Sequence, residues 1–272
     1  MLTHDSYSLS QLPQNIQTSY ARFTEKVYSS LENPDIFGQI LVFESPVEGY
    51  KRRQDLNGNT TAHVWITPVT GQKIYNPWQN DDDLKTITEY MFEELDKVCV
   101  LCNVPKNQRF FAINYYPPNE NFDATSPVFP YHTDFGYLAC LISNGNTMIL
   151  DPEDSEWKDV DMRNNQMIQV GGSLQAISNG RWRALPHGVG KSSTVSGKFG
   201  KLSIVCLVDP VGPITLRSST SELEIDSMGM IRIRFSGMFN KFDAVTEESD
   251  RKIYDEFLAP LNDFPRPQNQ II

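Results

Sequence analysis

The sequence predicts a mostly β protein with flanking helices, in which a double-sheet jelly roll, or double-stranded β-helix, follows a helical N-terminal part. Two patterns carry the prediction. Before Pro105 the apolar residues recur at helical steps of three and four. Beyond it the texture changes to short apolar runs separated by Asn-Gly, Asp-Pro and Gly-Gly turns, with strands expected at 108–116, 137–143, 147–150, 166–170, 174–178, 182–189, 201–208 and 229–235. With no internal repeat or evident linker, the 272 residues read as one domain: a helical part over 1–105, the jelly roll over 106–240 and a covering segment over 241–272.

Taken in order, Leu12, Ile16, Tyr20, Phe23, Val27 and Leu31 form one stripe of a first helix, with Pro13 suited to its first turn and Asn33-Pro34 to its end. Residues 38–43 read as a strand, the polar stretch 49–71 as mostly turns, and His63-Val64-Trp65-Ile66 as a second short strand in which His63 is a packing residue rather than a ligand. Asp81-Asp82-Asp83 stands where a helix N-terminus carries partial positive charge and reads as a solvated, dipole-matching run. Leu84, Ile87, Met91, Leu95, Val98 and Cys102 then stripe a second helix. At the far end Ile253, Phe257 and Leu258 keep a helical spacing. The stretches 45–80, 118–130 and 210–228 read as loops at the mouth of the roll.

Composition narrows the function classes. A hydrophobic fraction of 39% and an aromatic fraction of 11% supply a packed core, and no apolar run reaches the ~20 residues of a membrane span. The net charge of -10, with no block of Lys or Arg, argues against a nucleic acid partner. Residues 1–10 lack the basic and apolar regions of a secretory leader, and four cysteines in apolar settings do not make a disulfide framework, so a cytoplasmic protein is expected. Cys99 and Cys102 fall on helical apolar positions without a second pair, which disfavours a zinc or redox site.

The chemistry gathers in two segments. Two-residue spacing in an extended strand sends the His132 imidazole and the Asp134 carboxylate off one face, and His187 lies fifty-five positions on, far enough to return on a neighbouring strand. Two imidazoles and one carboxylate on one face of an octahedron leave three positions open and suit Fe(II).

The stretch Gly171-Gly172-Ser173-Leu174-Gln175-Ala176-Ile177-Ser178-Asn179-Gly180-Arg181-Trp182-Arg183-Ala184, running into His187, resembles the pattern around the distal His of the iron(II)- and 2-oxoglutarate-dependent oxygenases of the isopenicillin N synthase-like group. Ile113-Asn114-Tyr115-Tyr116-Pro117 is similar to that family's Asn-Tyr-Tyr-Pro strand, and Lys201-Leu202-Ser203 stands where the family has Arg-x-Ser; the resemblance runs over about residues 84 to 210. It implies Fe(II) held by His132, Asp134 and His187, with 2-oxoglutarate as cosubstrate and O2 as oxidant. It implies a small-molecule substrate, most often hydroxylated, with release of succinate and CO2. It also assigns the 2-oxoglutarate contacts to Lys201, Ser203, Tyr116 and Asn114. Lys in place of Arg keeps the charge and loses the planar fork, so Arg183 stands as a second candidate anchor. Two other readings stay open: an iron(II) oxidase of the same fold that dispenses with 2-oxoglutarate, and a binding or sensor protein without turnover. Neither the substrate nor the oligomeric state is legible here.

Overall fold

The computed structural model describes residues 2, 5–32, 49–54, 60–69, 78, 80–118, 128–190, 199–217, 221–226, 229, 233, 247–259 and 264–265. Its elements are β1 (Tyr7–Gln11), α1 (Gln14–Leu31), β2 (Gly49–Gln54), β3 (Thr60–Pro68), α2 (Asp82–Cys102), β4 (Asn107–Tyr116), β5 (Phe129–His132), β6 (Leu138–Ser143), β7 (Asn146–Leu150), β8 (Trp157–Asp161), β9 (Asn165–Val170), α3 (Gly172–Ile177), β10 (His187–Val189), β11 (Lys201–Pro210), β12 (Pro213–Arg217), β13 (Glu222–Asp226) and α4 (Glu247–Ile253), continued by a π-helical turn at Tyr254–Leu258. A seven-stranded sheet in the order β1-β9-β6-β11-β4-β3-β2 and a four-stranded sheet in the order β5-β10-β7-β8 make the roll. All their recorded strand pairings are antiparallel.

Strand alternation gives each sheet of the roll an inner and an outer face. On β11, Leu202, Ile204, Cys206 and Val208 turn outward and join Ile113, Leu138, Cys140, Ile142, Ile168 and Val170 in the main core, against Phe23 and Val27 of α1 and Ile87, Met91 and Leu95 of α2. Tyr20 of α1 donates its hydroxyl to the Leu202 carbonyl at 2.7 Å, tying that helix to the central strand. Between the sheets, two smaller apolar clusters hold the faces together. Leu141, Ile149, Met162, Met167 and Leu185 form one, and Ala62, Val64, Tyr116, Val128 and Val189 the other.

Both expected helices are present. Asp81 caps α2 by accepting from the N–H groups of Asp83 (2.9 Å) and Leu84 (3.1 Å). Asp83, expected to be solvated, is instead only 7% exposed and ion-paired to α1 through Arg22 and through Lys26 at 2.9 Å. Arg22, the largest influence, holds its carboxyl down at about 2. Residues 174–177 of the segment 174–178, expected as a strand, belong to helix α3, whose six residues are too few to show a helical period. Of 182–189 only His187–Val189 is strand. The expected loop at 210–228 is largely the hairpin β12–β13, and its Ile214 and Leu216 pack in the main core with Leu174. The helical N-terminal part also supplies three strands of the large sheet, β1, β2 and β3. His63 is buried and stacks between Trp65 (centroids 6.2 Å) and Tyr115 (5.9 Å), as a packing residue does.

The strand expected at 38–43 and the Asn33-Pro34 helix end lie outside the described residues, as does most of 229–235, where Gly229 and Ile233 are helical. Leu258 of the C-terminal segment reaches the main core, and Trp157 donates to the Pro265 carbonyl at 2.8 Å.

Candidate metal centre

His132 is the last residue of β5 and His187 the first of β10, and the two are directly paired across the antiparallel ladder. Their rings therefore stand side by side, with centroids 4.5 Å apart. Asp134 comes from a different device than the alternation expected, because β5 ends at His132 and the carboxylate is delivered by the loop that follows. That loop is held by the start of α3. Gly172 N–H donates to the Asp134 carbonyl at 2.8 Å, the Ser173 hydroxyl to the Phe135 carbonyl at 2.5 Å, and Gly171 N–H to the Tyr137 carbonyl at 2.9 Å. The approach is too close for a side chain: a Cβ on Gly171 would sit 2.3 Å from the Gly136 carbonyl oxygen, and one on Gly136 would sit 2.1 Å from Asp209 Oδ1.

The Oδ1 atom of Asp134 lies 3.7 Å from His132 Nε2 and 3.8 Å from His187 Nε2, and the three ligand atoms fall within 4.8 Å of one another. Imidazole nitrogen binds a divalent ion at roughly 2.0–2.1 Å, which places ligands at right angles about 3 Å apart. Side-chain shifts of less than about 1 Å close the difference. His187 Nδ1–H donates to the Leu185 carbonyl at 3.0 Å, which fixes the tautomer and leaves Nε2 as the ligand atom. Burial depresses His187 to about 4 against the opposing pull of Asp134, so its imidazole is neutral at physiological pH. Burial would raise Asp134, but in acid, where the carboxylate would take its proton, the charge on His187, with His132 and a hydrogen bond from Gln169, holds it below the usual carboxylate range. A neutral imidazole and an ionised carboxylate are the protonation states that metal ligation requires, so the donor set fits Fe(II).

A second group of polar residues lines the inner face of the large sheet. Lys201 pairs with Tyr116, and Ser203 with Asn114, across β11 and β4. Lys201 is 1% exposed; its Nζ donates to the Asn146 carbonyl, lies 3.3 Å from Thr147 Oγ1 and stands 5.5 Å from the Tyr116 ring centroid. Burial pulls Lys201 down to about 7. Ser203 donates to Ser143 at 3.0 Å, and Asn114 Oδ1 is buried without a hydrogen-bond partner. Turning that amide over would offer an N–H to an oxygen ligand beside Lys201. Arg183, the other candidate anchor, is exposed, and its backbone N–H donates to the Asp5 carbonyl.

Two residues of this interior escape sequence reasoning. Gln169 contacts both Asp134 and His187. Asp209 continues the inner face of β11 near Gly136, and burial, with the Asp134 charge, lifts it to about 7. The available signal was a polar residue inside a strand with mostly buried neighbours, Gln169 in β9.

Comparison with known proteins agrees with this geometry. Residues 107–210 match the model of the 2OG-Fe(II) oxygenase superfamily. The chain is similar to Probable flavonol synthase 6 of Arabidopsis thaliana, with 29% identity over 153 residues, covering 52% of this chain and 50% of that protein. The chain thus spans about half the length of this curated relative. Among solved structures, the dioxygenase for auxin oxidation in rice superposes with a TM-score of 0.62 at 18% identity, covering 84% of this chain and 83% of that one. The dioxygenase for auxin oxidation 1 from Arabidopsis thaliana, in its complex with 2-oxoglutarate, gives 0.56 at 15% identity, covering 89% of this chain and 91% of that one. These two likenesses concern the fold. The triad, the inner-face cation and the matched segment converge: residues 107–210, the core of this chain, are similar to the 2OG-Fe(II) oxygenase superfamily.

Proposed function

We propose that this chain is an Fe(II)- and 2-oxoglutarate-dependent dioxygenase that hydroxylates an unactivated C–H bond of a small molecule. The observation that carries the reading is the convergence of His132, Asp134 and His187 opposite the buried Lys201. His132, Asp134 and His187 hold the metal. Iron with 2-oxoglutarate and O2 supplies the oxidising power, one oxygen atom going to the substrate and the other to succinate as CO2 leaves.

Lys201 receives the distal carboxylate of 2-oxoglutarate. An ammonium has three N–H groups; one is given to the Asn146 carbonyl and one points at Thr147, which leaves a single donor for the cosubstrate. A bound carboxylate is the partner a buried cation needs. Tyr116 forms one wall beside the ammonium and Asn114 offers its amide, while Ser203 backs the pocket.

In this reading residues 1–272 form a single oxygenase domain, with 1–105 as the helical N-terminal part, 106–240 as the jelly-roll core and 241–272 as a cover. It works in the cytoplasm on a small molecule and on neither nucleic acid nor membrane; the free cysteines and the net charge of -10 support this. A second reading, an iron(II) oxidase that does without 2-oxoglutarate, is favoured by one observation: Ser203 gives its proton to Ser143, so the anchor is weaker than Arg with a free hydroxyl. Purified protein with Fe(II), O2 and labelled 2-oxoglutarate separates the two. Release of labelled CO2 and succinate supports the first, and substrate oxidation without either supports the second.

A further inference from the structure

Gln169 stands on the inner face of β9, 2% exposed, and is contributed by the seven-stranded sheet, whereas both imidazoles stand on the four-stranded sheet. Its Nε2 donates to Asp134 Oδ2 at 2.6 Å and lies 3.1 Å from His187 Nε2. Because His187 Nδ1–H is committed to the Leu185 carbonyl, its Nε2 is an acceptor, and one amide NH2 spans two of the three ligands. The amide oxygen is left buried with no hydrogen-bond partner. Turning the amide over would set Oε1 against the carboxylate, so the orientation is dictated by Asp134. An orphaned oxygen in a packed interior calls for an explanation of this kind.

We propose that Gln169 is the positioning residue of the metal centre. Its amide engages Oδ2 of Asp134, so that the carboxylate presents Oδ1 alone and leaves a coordination position open that a bidentate carboxylate would fill. Before metal arrives, the same amide keeps Asp134 and His187 in ligand geometry. Once the metal takes the His187 Nε2 lone pair, the bond to Oδ2 remains. The proposal rests on the reading of the triad as a metal centre.

The test is Co(II) titration of wild-type and Gln169→Leu protein, read by affinity and by the Co(II) absorption spectrum, with thermal unfolding of the metal-free proteins alongside. Loss of an outer-shell partner typically costs about 10–100-fold in metal affinity, and Gln169→Leu is expected to lose that much with a changed spectrum and an undiminished Tm. Should it fail to fold, Gln169→Met fills a similar volume without a donor and carries the same expectation. Wild type that binds Co(II) together with a variant that binds equally tightly, with the same spectrum, overturns the proposal alone. Wild type that holds no Co(II) overturns the metal-centre reading and the proposal with it.

Discussion

Asp134 and Lys201 are both ionisable side chains of the same interior, yet their surroundings push them in opposite senses. Burial acts on each toward the neutral form. At Asp134 two imidazoles and an amide N–H face the carboxylate and more than offset that push, so it remains ionised. At Lys201 a carbonyl, a hydroxyl and the Tyr116 ring stand beside the ammonium, burial outweighs the Asp159 charge, and it falls to about 7. One end of the site is therefore electrostatically complete before any small molecule arrives, and under the proposed function an anion completes the other.

The comparison breaks first at the triad. His132→Ala or His187→Ala should cut metal affinity and turnover by more than the ~100-fold that loss of an outer-shell partner costs, with far-ultraviolet circular dichroism unchanged; normal activity in either variant would remove the basis for the site. Next comes the anchor. A charge-assisted hydrogen bond is worth roughly 1.5–3 kcal/mol, so Lys201→Ala should raise the KM for 2-oxoglutarate about tenfold to a few hundredfold while iron affinity stays put. Lys201→Arg should retain partial activity, since a site shaped for a compact ammonium takes the planar guanidinium poorly. If Lys201→Ala leaves the dependence on 2-oxoglutarate untouched and Arg183→Ala destroys it, the anchor is Arg183.

A sharper probe is pH. Lys201 with its value near 7 is charged below that pH and neutral above it, whereas a bound carboxylate holds it charged. Binding of 2-oxoglutarate above pH 7 must then take up a proton, and affinity should fall as pH rises, by up to about tenfold per pH unit. Calorimetry in buffers of different ionisation enthalpy would read the uptake; zero net protons at pH 8 would contradict it. The smallest effect concerns Asp209. Its folded value near 7 lies above the ordinary carboxylate value, so the ionised side chain costs stability that grows as pH rises toward 7. Asp209→Asn should therefore raise Tm at pH 8, by about 2–4 °C for each ~1 kcal/mol recovered, and give no gain near pH 4.

How much of this was legible in the sequence depended on the range of the interaction. The stripes of α1 and α2 are local periodicities and were readable, as was the approximate reach from His132 to His187. Asp134 was assigned to the site by an alternation that does not operate there: the strand stops at His132, and the backbone of Gly171, Gly172 and Ser173 sets the loop. Asp83 looked like one of three solvated acids because its partners, Arg22 and Lys26, lie roughly sixty residues upstream. Gln169 was invisible for the same reason, since its meaning comes from His187 on the opposite sheet and from Asp134 on the loop after β5. Strand β5 is four residues long and β10 three, too short for any pattern to mark.

The direct pairing of His187 with His132 has a further consequence for how the short strand β10 is held. Moving β10 by one residue would turn the His187 ring to the other side of the sheet and put Gly188 in its place. An ion gripped by both imidazoles therefore acts as a register pin, tightening only the alignment in which they meet. Amide hydrogen exchange across 187–189 should slow on metal binding, linking a coordination event to the fidelity of strand pairing.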